Sequence, residues 1–242
     1  MSTEAHRLSV GGLHVDVVRK PIKNLHVGVY PPHGRVRVAA PLAVSDDAVR
    51  LAVVTRLPWI KRQRARFAAQ SRQSERAYVS GETHYFMGRP YRLRLIKGTS
   101  ACRVDVRSSK AIDLFVRTGS DRETRERVFI GWYRNELRSQ ATPLIEKWAA
   151  KLALPLPTWG IKRMKTKWGT CNTDAGRIWL NLELAKKPPQ SLEYVVVHEL
   201  VHFLERQHSE RFVALMDSAL PNWRLLRDEL NAEPLAHEEW LA

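Results

Sequence analysis

His198-Glu199-Leu200-Val201-His202, followed by His208, holds the residue types of a hydrolytic metal centre. Residues four apart on an α-helix lie on one face, so His198 and His202 can present their imidazoles to a single ion. Glu199 stands beside the first of them, where its carboxylate reaches a metal-bound water. The pattern therefore supplies two ligands and a base for attack of water on a carbonyl. A catalytic zinc takes three protein ligands and keeps a fourth position for water. His208, ten residues after His198, is the candidate third ligand, and the chain must turn back beyond the helix to deliver it.

Two neighbouring patterns sharpen that reading. A metzincin has the same ligand spacing but needs Gly three residues after the second His, and that position is Glu205. Glu205 is itself an alternative ligand, yet it follows His202 too closely to act as the separate downstream glutamate of a two-His, one-Glu site, so His208 ranks above it. The flanks also matter. Val195, Val196, Val197, Leu200, Val201, Phe203 and Leu204 make the helix apolar on most sides, as expected of a buried element. Two His and a Glu buried there without a partner would be costly, and one Zn2+ satisfies all three.

The elements that must position these residues belong to an ordinary globular chain. Hydrophobic residues at 44% and charged residues at 27% of 242 are enough for one large or two small cores. No apolar run approaches a membrane span, and Met1 to Gly12 lacks the regions of a signal peptide, so a cytoplasmic protein with no membrane partner is expected. Cys102 and Cys171 are too few for a disulfide framework or a four-cysteine zinc module. The charge is uneven. Residues 1–150 hold 28 Lys and Arg against 13 Asp and Glu, whereas residues 151–242 hold 12 of each. That asymmetry makes nucleic acid the first candidate partner of the N-terminal region, with a merely solubilising basic face as the alternative.

Leu8 to Ala40 alternates in short runs broken by Gly and Pro, with a turn at Pro31-Pro32-His33-Gly34. A helix starts at Ser45-Asp46-Asp47. A second, basic segment over Trp59–Gln73 carries Lys61, Arg62, Arg64, Arg66 and Arg72, with Trp59, Ile60 and Phe67 as apolar anchors. Residues 78–117 read as a small antiparallel sheet with turns at Gly88-Arg89 and Lys97-Gly98. A long helix over Arg122–Lys151 follows, kinked or divided at Pro143. Two strands, Trp168–Asn172 and Arg177–Leu184, join at Asp174-Ala175-Gly176. Ser191 is the expected cap of the metal helix and Ser209 that of the next. The division expected is a basic β-rich region with a basic helix over 1–120 and a catalytic domain over 121–242.

With these residues in view, the chain resembles the YgjP-like metallopeptidases, relatives of the SprT and WLM zinc peptidases. The match rests on His198 to His202, His208 with Phe212 four later, and Trp168-Gly169-Thr170-Cys171 before Ile178-Trp179-Leu180-Asn181. Val38-Ala39-Ala40-Pro41, Trp59-Ile60 and Tyr78 to Gly88 extend it upstream. The relatives carry Trp-Gly-Ser-Cys, so Thr170 departs from them. The resemblance implies an α+β, zincin-like domain, in which a small sheet packs on the metal helix. It also implies His198, His202 and His208 as ligands, Glu199 as base, and a protein or peptide substrate.

The expected reaction is zinc-dependent peptide hydrolysis by Glu199-assisted attack of a zinc-bound water. Tyr194, Lys165, Lys167 and Asn181 are candidates for a second electrophile. The Ile178–Leu184 strand is a candidate for holding an extended peptide, if it forms a sheet edge. Trp168 and Trp179 read chiefly as core, and Cys171 as a buried structural thiol. The competing reading is a nucleic-acid-binding protein whose zinc site is structural or vestigial.

Overall fold

Gly11 and Gly12, both at positive φ, close the first hairpin between β1 (Ala5–Val10) and β2 (Leu13–Lys20). Two consecutive left-handed residues match the twist of paired strands, which is why glycine sits at both. A computed structural model describes residues 5–30, 34–69, 76–98, 100–164 and 166–232. The side chains of Arg66 and Phe67, the residues Arg72 and Lys165, and the expected turn at 31–33 lie outside the described residues. A second hairpin pairs β3 (His26–Tyr30) with β4 (Arg35–Pro41), and β4 lies parallel to β2, giving the order β1-β2-β4-β3.

Period-two alternation sends Val15, Val17, Val36, Val38 and Ala40 to one face of this sheet. There they pack with Val49 and Val53 of α1 (Asp46–Val54) and Ile60 of α2 (Leu57–Ala69). Ser45 caps α1 by accepting the Ala48 N–H at 3.2 Å, as expected.

The chain divides into two compact units, the first running to Gln73 and the second from Ser74 to Leu235. The second opens with another pair of hairpins, β5 (Thr83–Phe86) with β6 (Arg89–Lys97) and β7 (Arg103–Ser108) with β8 (Ala111–Val116). The order is β5-β6-β8-β7. An antiparallel sheet was expected here. The sheet is mixed, because the hairpins meet through their second strands and β6 runs parallel to β8. Leu93, Ile112 and Leu114 share one core with α3, so these strands pack with the helices that follow them.

α3 (Arg122–Lys151) starts on Asp121, whose carboxylate accepts the Thr124 N–H at 2.8 Å. It continues through Pro143 as one helix, so of the kink or division expected there the division does not occur. Leu137, Ala141, Ile145 and Trp148 are buried on both sides of the proline, and that packing outweighs the roughly 3 kcal/mol a mid-helix proline costs. β9 (Thr158–Lys162), β10 (Gly169–Asn172) and β11 (Arg177–Asn181) form a third sheet in the order β10-β11-β9. Beyond a 3-10 turn at Leu182–Lys186 lie α4 (Pro189–Val201), α5 (Glu210–Ala219) and α6 (Trp223–Ala232). Among the described residues no helix is long and apolar enough to cross a membrane.

Candidate metal centre

Pro189 occupies the first turn of α4, where its missing N–H would have had no helical partner anyway. The helix therefore starts ahead of Ser191, the expected cap, which instead lies buried within it. Val195, Val196, Val197, Leu200 and Val201 are all buried, so the helix is gripped on most of its circumference. His198 lies within it and His202 is its C-terminal cap.

The turn after α4 is organised by Glu205. Its carbonyl accepts from His202 Nδ1 at 3.2 Å, and its carboxylate accepts the Gln207 N–H at 3.2 Å. The chain reverses there and delivers His208 just before Ser209, whose hydroxyl caps α5 by accepting the Phe212 N–H at 3.3 Å. Glu205 shapes the loop and does not join the cluster of potential ligands. That cluster comprises His198, His202 and His208, with one nitrogen of each within 4.8 Å of the others.

The Nε2 atoms of His198 and His208 face each other at 3.1 Å. Tetrahedral zinc with Zn–N of about 2.0–2.1 Å sets its ligands roughly 3.3 Å apart, so the spacing suits a common ion. The Nδ1 hydrogen bond of His202 leaves its Nε2 lone pair available. Burial, with the neighbouring His202 and His208, pushes His198 down to about 3, and burial also lowers His202. Both shifts favour the neutral imidazole, the form in which histidine can bind a metal. Phe212, 1% exposed, packs against all three imidazoles, with its ring centroid 4.7–5.0 Å from theirs.

Glu199 is 6% exposed, and burial pushes its carboxyl up to about 8, with Lys167 pulling the other way. The room for it comes from Gly169. A Cβ built there would stand 2.5 Å from Glu199 Oε1 and 2.9 Å from its Cδ. The carboxylate thus lies against the backbone of β10. Glycine inside a strand is the sequence sign of such an approach. It stood in the Trp168-Gly169-Thr170-Cys171 run, but nothing in the sequence named Glu199 as the group it admits.

A cleft of about 520 Å³ opens over these residues. Lys167, Gly169, Cys171, Tyr194, Arg206 and Asn231 are among the residues that line it with them. Of the candidate electrophiles, Lys167 and Tyr194 are present, and burial pushes the Tyr194 phenol up to about 12. Asn181 is fully buried and is occupied elsewhere. Its amide donates to the Met164 and Lys167 carbonyls at 2.9 and 2.8 Å, which holds the loop before β10. Trp168 lines the cleft, and its indole N–H is buried with no partner among the described residues. Cys171 lines it too, with burial pushing its thiol up to about 11. Trp179 instead lies against Gly160, where a Cβ would come within 2.4 Å of its ring.

The expected edge strand requires correction. The strand at Arg177–Asn181 is central, because β9 pairs with it on the side away from β10. The sheet edge beside the cleft is β10.

A family model described as the YgjP-like metallopeptidase domain matches residues 24–233. No curated protein matches the chain. Two solved metallopeptidase zymogens are similar to it. Abylysin of Pyrococcus abyssi is 20% identical over 37% of this chain and 90% of its own, with a TM-score of 0.35. Jannalysin of Methanocaldococcus jannaschii is 18% identical over 38% and 87%, also at 0.35.

Proposed function

Because the chain belongs to the YgjP-like metallopeptidase family, we propose that it is a zinc-dependent peptidase with a zincin-like site. In this reading His198, His202 and His208 are the ligands and Glu199 is the general base. The convergence of three ligand nitrogens within 4.8 Å beside a buried glutamate carries the reading. Zinc held there would supply Lewis acidity, polarising a carbonyl and acidifying water.

The remaining chemistry falls to the chain. Glu199 takes a proton from the attacking water and returns it to the leaving amine. Lys167 or Tyr194 donates to the oxygen that gains charge. An extended substrate adds to the free edge of β10, which brings its backbone past Gly169 and Glu199. The substrate is a cytosolic protein or peptide, and the basic N-terminal region holds a nucleic-acid partner.

The test combines elemental analysis with hydrolysis of a denatured-protein substrate. The wild type binds about one zinc per chain and cleaves. His208→Ala loses the metal. Glu199→Gln keeps it, while turnover falls by roughly 10²- to 10⁴-fold. Full turnover by Glu199→Gln would refute the assignment, and so would a folded wild type that takes up no zinc.

A further inference from the structure

The face of the N-terminal sheet opposite α1 and α2 has no role in the peptidase chemistry. Arg7, Asp16, Arg37 and Gly28 stand in one cross-strand row, and Tyr30 pairs with Arg35 in the next. Arg7, Arg35, Arg37 and Tyr30 are exposed, Tyr30 at 39%. Gly28 lets the Tyr30 ring lie down on the strand, since a Cβ there would meet the ring at 2.7–2.9 Å. The ring is thereby held close to the strand while part of its surface stays open to a ligand.

Asp16 orders the cations around that ring. It accepts from Arg7 Nε at 3.0 Å and from Arg35 Nε at 2.5 Å. Both guanidiniums are thus anchored through Nε, and among the described residues their terminal nitrogens make no hydrogen bond. Arg37 forms no ion pair among the described residues. Residues 1–73 hold 13 Lys and Arg against 4 Asp and Glu.

We propose that this face binds single-stranded nucleic acid, with a base stacked on Tyr30 and phosphates held by Arg7, Arg35 and Arg37. A lone basic patch would suit any polyanion. The exposed ring amid arginines selects unpaired nucleotides, because a duplex buries its base faces in its own stack. The proposal names a partner for the basic region but does not depend on the peptidase reading.

The test is fluorescence anisotropy of the full-length chain with labelled dT and rU oligonucleotides, a duplex of equal length, and heparin as competitor. The wild type binds dT, rU or both more tightly than duplex, and the better of the two identifies DNA or RNA as the source. Tyr30→Ala weakens that binding by roughly 5- to 150-fold, whereas Tyr30→Phe retains it. Arg37→Ala lowers the slope of log affinity against log salt by about 0.7. The proposal is overturned if no single strand binds, or if duplex and heparin compete equally and Tyr30→Ala binds as the wild type does. Because Tyr30 and Arg37 are exposed, both variants keep the wild-type melting temperature and zinc content. A failure here is therefore separable from a failure of the metal site.

Discussion

The two four-stranded sheets share one order and one set of pairing senses, β1-β2-β4-β3 and β5-β6-β8-β7. Each joins two hairpins through their second strands, and each carries on its outer side an aspartate held by two arginines. Asp16 is held by Arg7 and Arg35, and Asp113 by Arg94 and Arg107. What lies behind them differs. The first sheet closes a small core with Val49, Val53 and Ile60. The second contributes Leu93, Ile112 and Leu114 to a core that continues through Phe129 and Ile145 of α3 to Val196 and Leu200 of α4. One topology thus serves as a separate basic module in one case, and in the other as foundation for the helix carrying His198 and Glu199.

The strongest way to break that comparison is to cut each core at one residue. Ile60→Ala and Phe129→Ala each remove a fully buried side chain, at about 2–5 and 3–5 kcal/mol respectively. Phe129→Ala should lower zinc content along with the melting temperature. Ile60→Ala should lower only the transition of the first unit and leave zinc at wild-type stoichiometry. Loss of zinc from Ile60→Ala would show that the cores are not separate in the way their residues indicate.

The shared topology was not legible in the sequence, although the strands were. Alternation marks which residues form β2, β4, β6 and β8, but the parallel pairing of hairpins depends on how they dock, and period-two patterns are silent on that. The same gap misplaced the edge beside the site. Residues 158–162 carry no strong alternation, so the sequence marks neither β9 nor its pairing with β11. α4 was legible because valine and leucine surround its polar residues, and the His208 spacing survived because Glu205 makes the turn that its position requires. Proline was the weak guide: Pro189 started α4 ahead of the serine expected to cap it, and Pro143 did not break α3.

A second contrast lies in two strand glycines that each make room for a side chain. Gly28 accommodates Tyr30, and Gly169 accommodates Glu199. Gly169→Ala should push the Glu199 carboxylate off β10 and lower kcat by about 10- to 100-fold, since misplacing a base costs part of its general-base contribution. Zinc content should hold, because Gly169 touches Glu199, the proposed base, and not the three histidines proposed as ligands. Glu199→Asp, a shorter side chain, should lose less in the Gly169→Ala background than in the wild type. Gly28→Ala should leave kcat unchanged. Equal kcat for Gly169→Ala and the wild type would mean that Glu199 is not held where its geometry suggests.

The smallest expected effect separates the two aspartates. Arg94 and then Arg107 hold the Asp113 carboxyl below the usual range, whereas at Asp16 burial works upward and Arg35 and Arg7 overcome it. In both the folded state favours the ionised form, so the stabilisation is present above the ordinary carboxylate pKa near 4 and is lost as pH falls through the depressed folded value. The Asp113 side chain is 1% exposed and that of Asp16 17%. Solvent screens the more open pair, so Asp113→Asn should cost on the order of 1–2 kcal/mol at pH 7 and Asp16→Asn less than about 1. Melting temperatures of wild type and Asp113→Asn should converge as pH drops below about 4. A gap that persists there would mean that Asp113 stabilises the second sheet by packing rather than by charge. The foundation beneath the metal helix would then be apolar throughout, and the resemblance of the two outer faces would end at their topology.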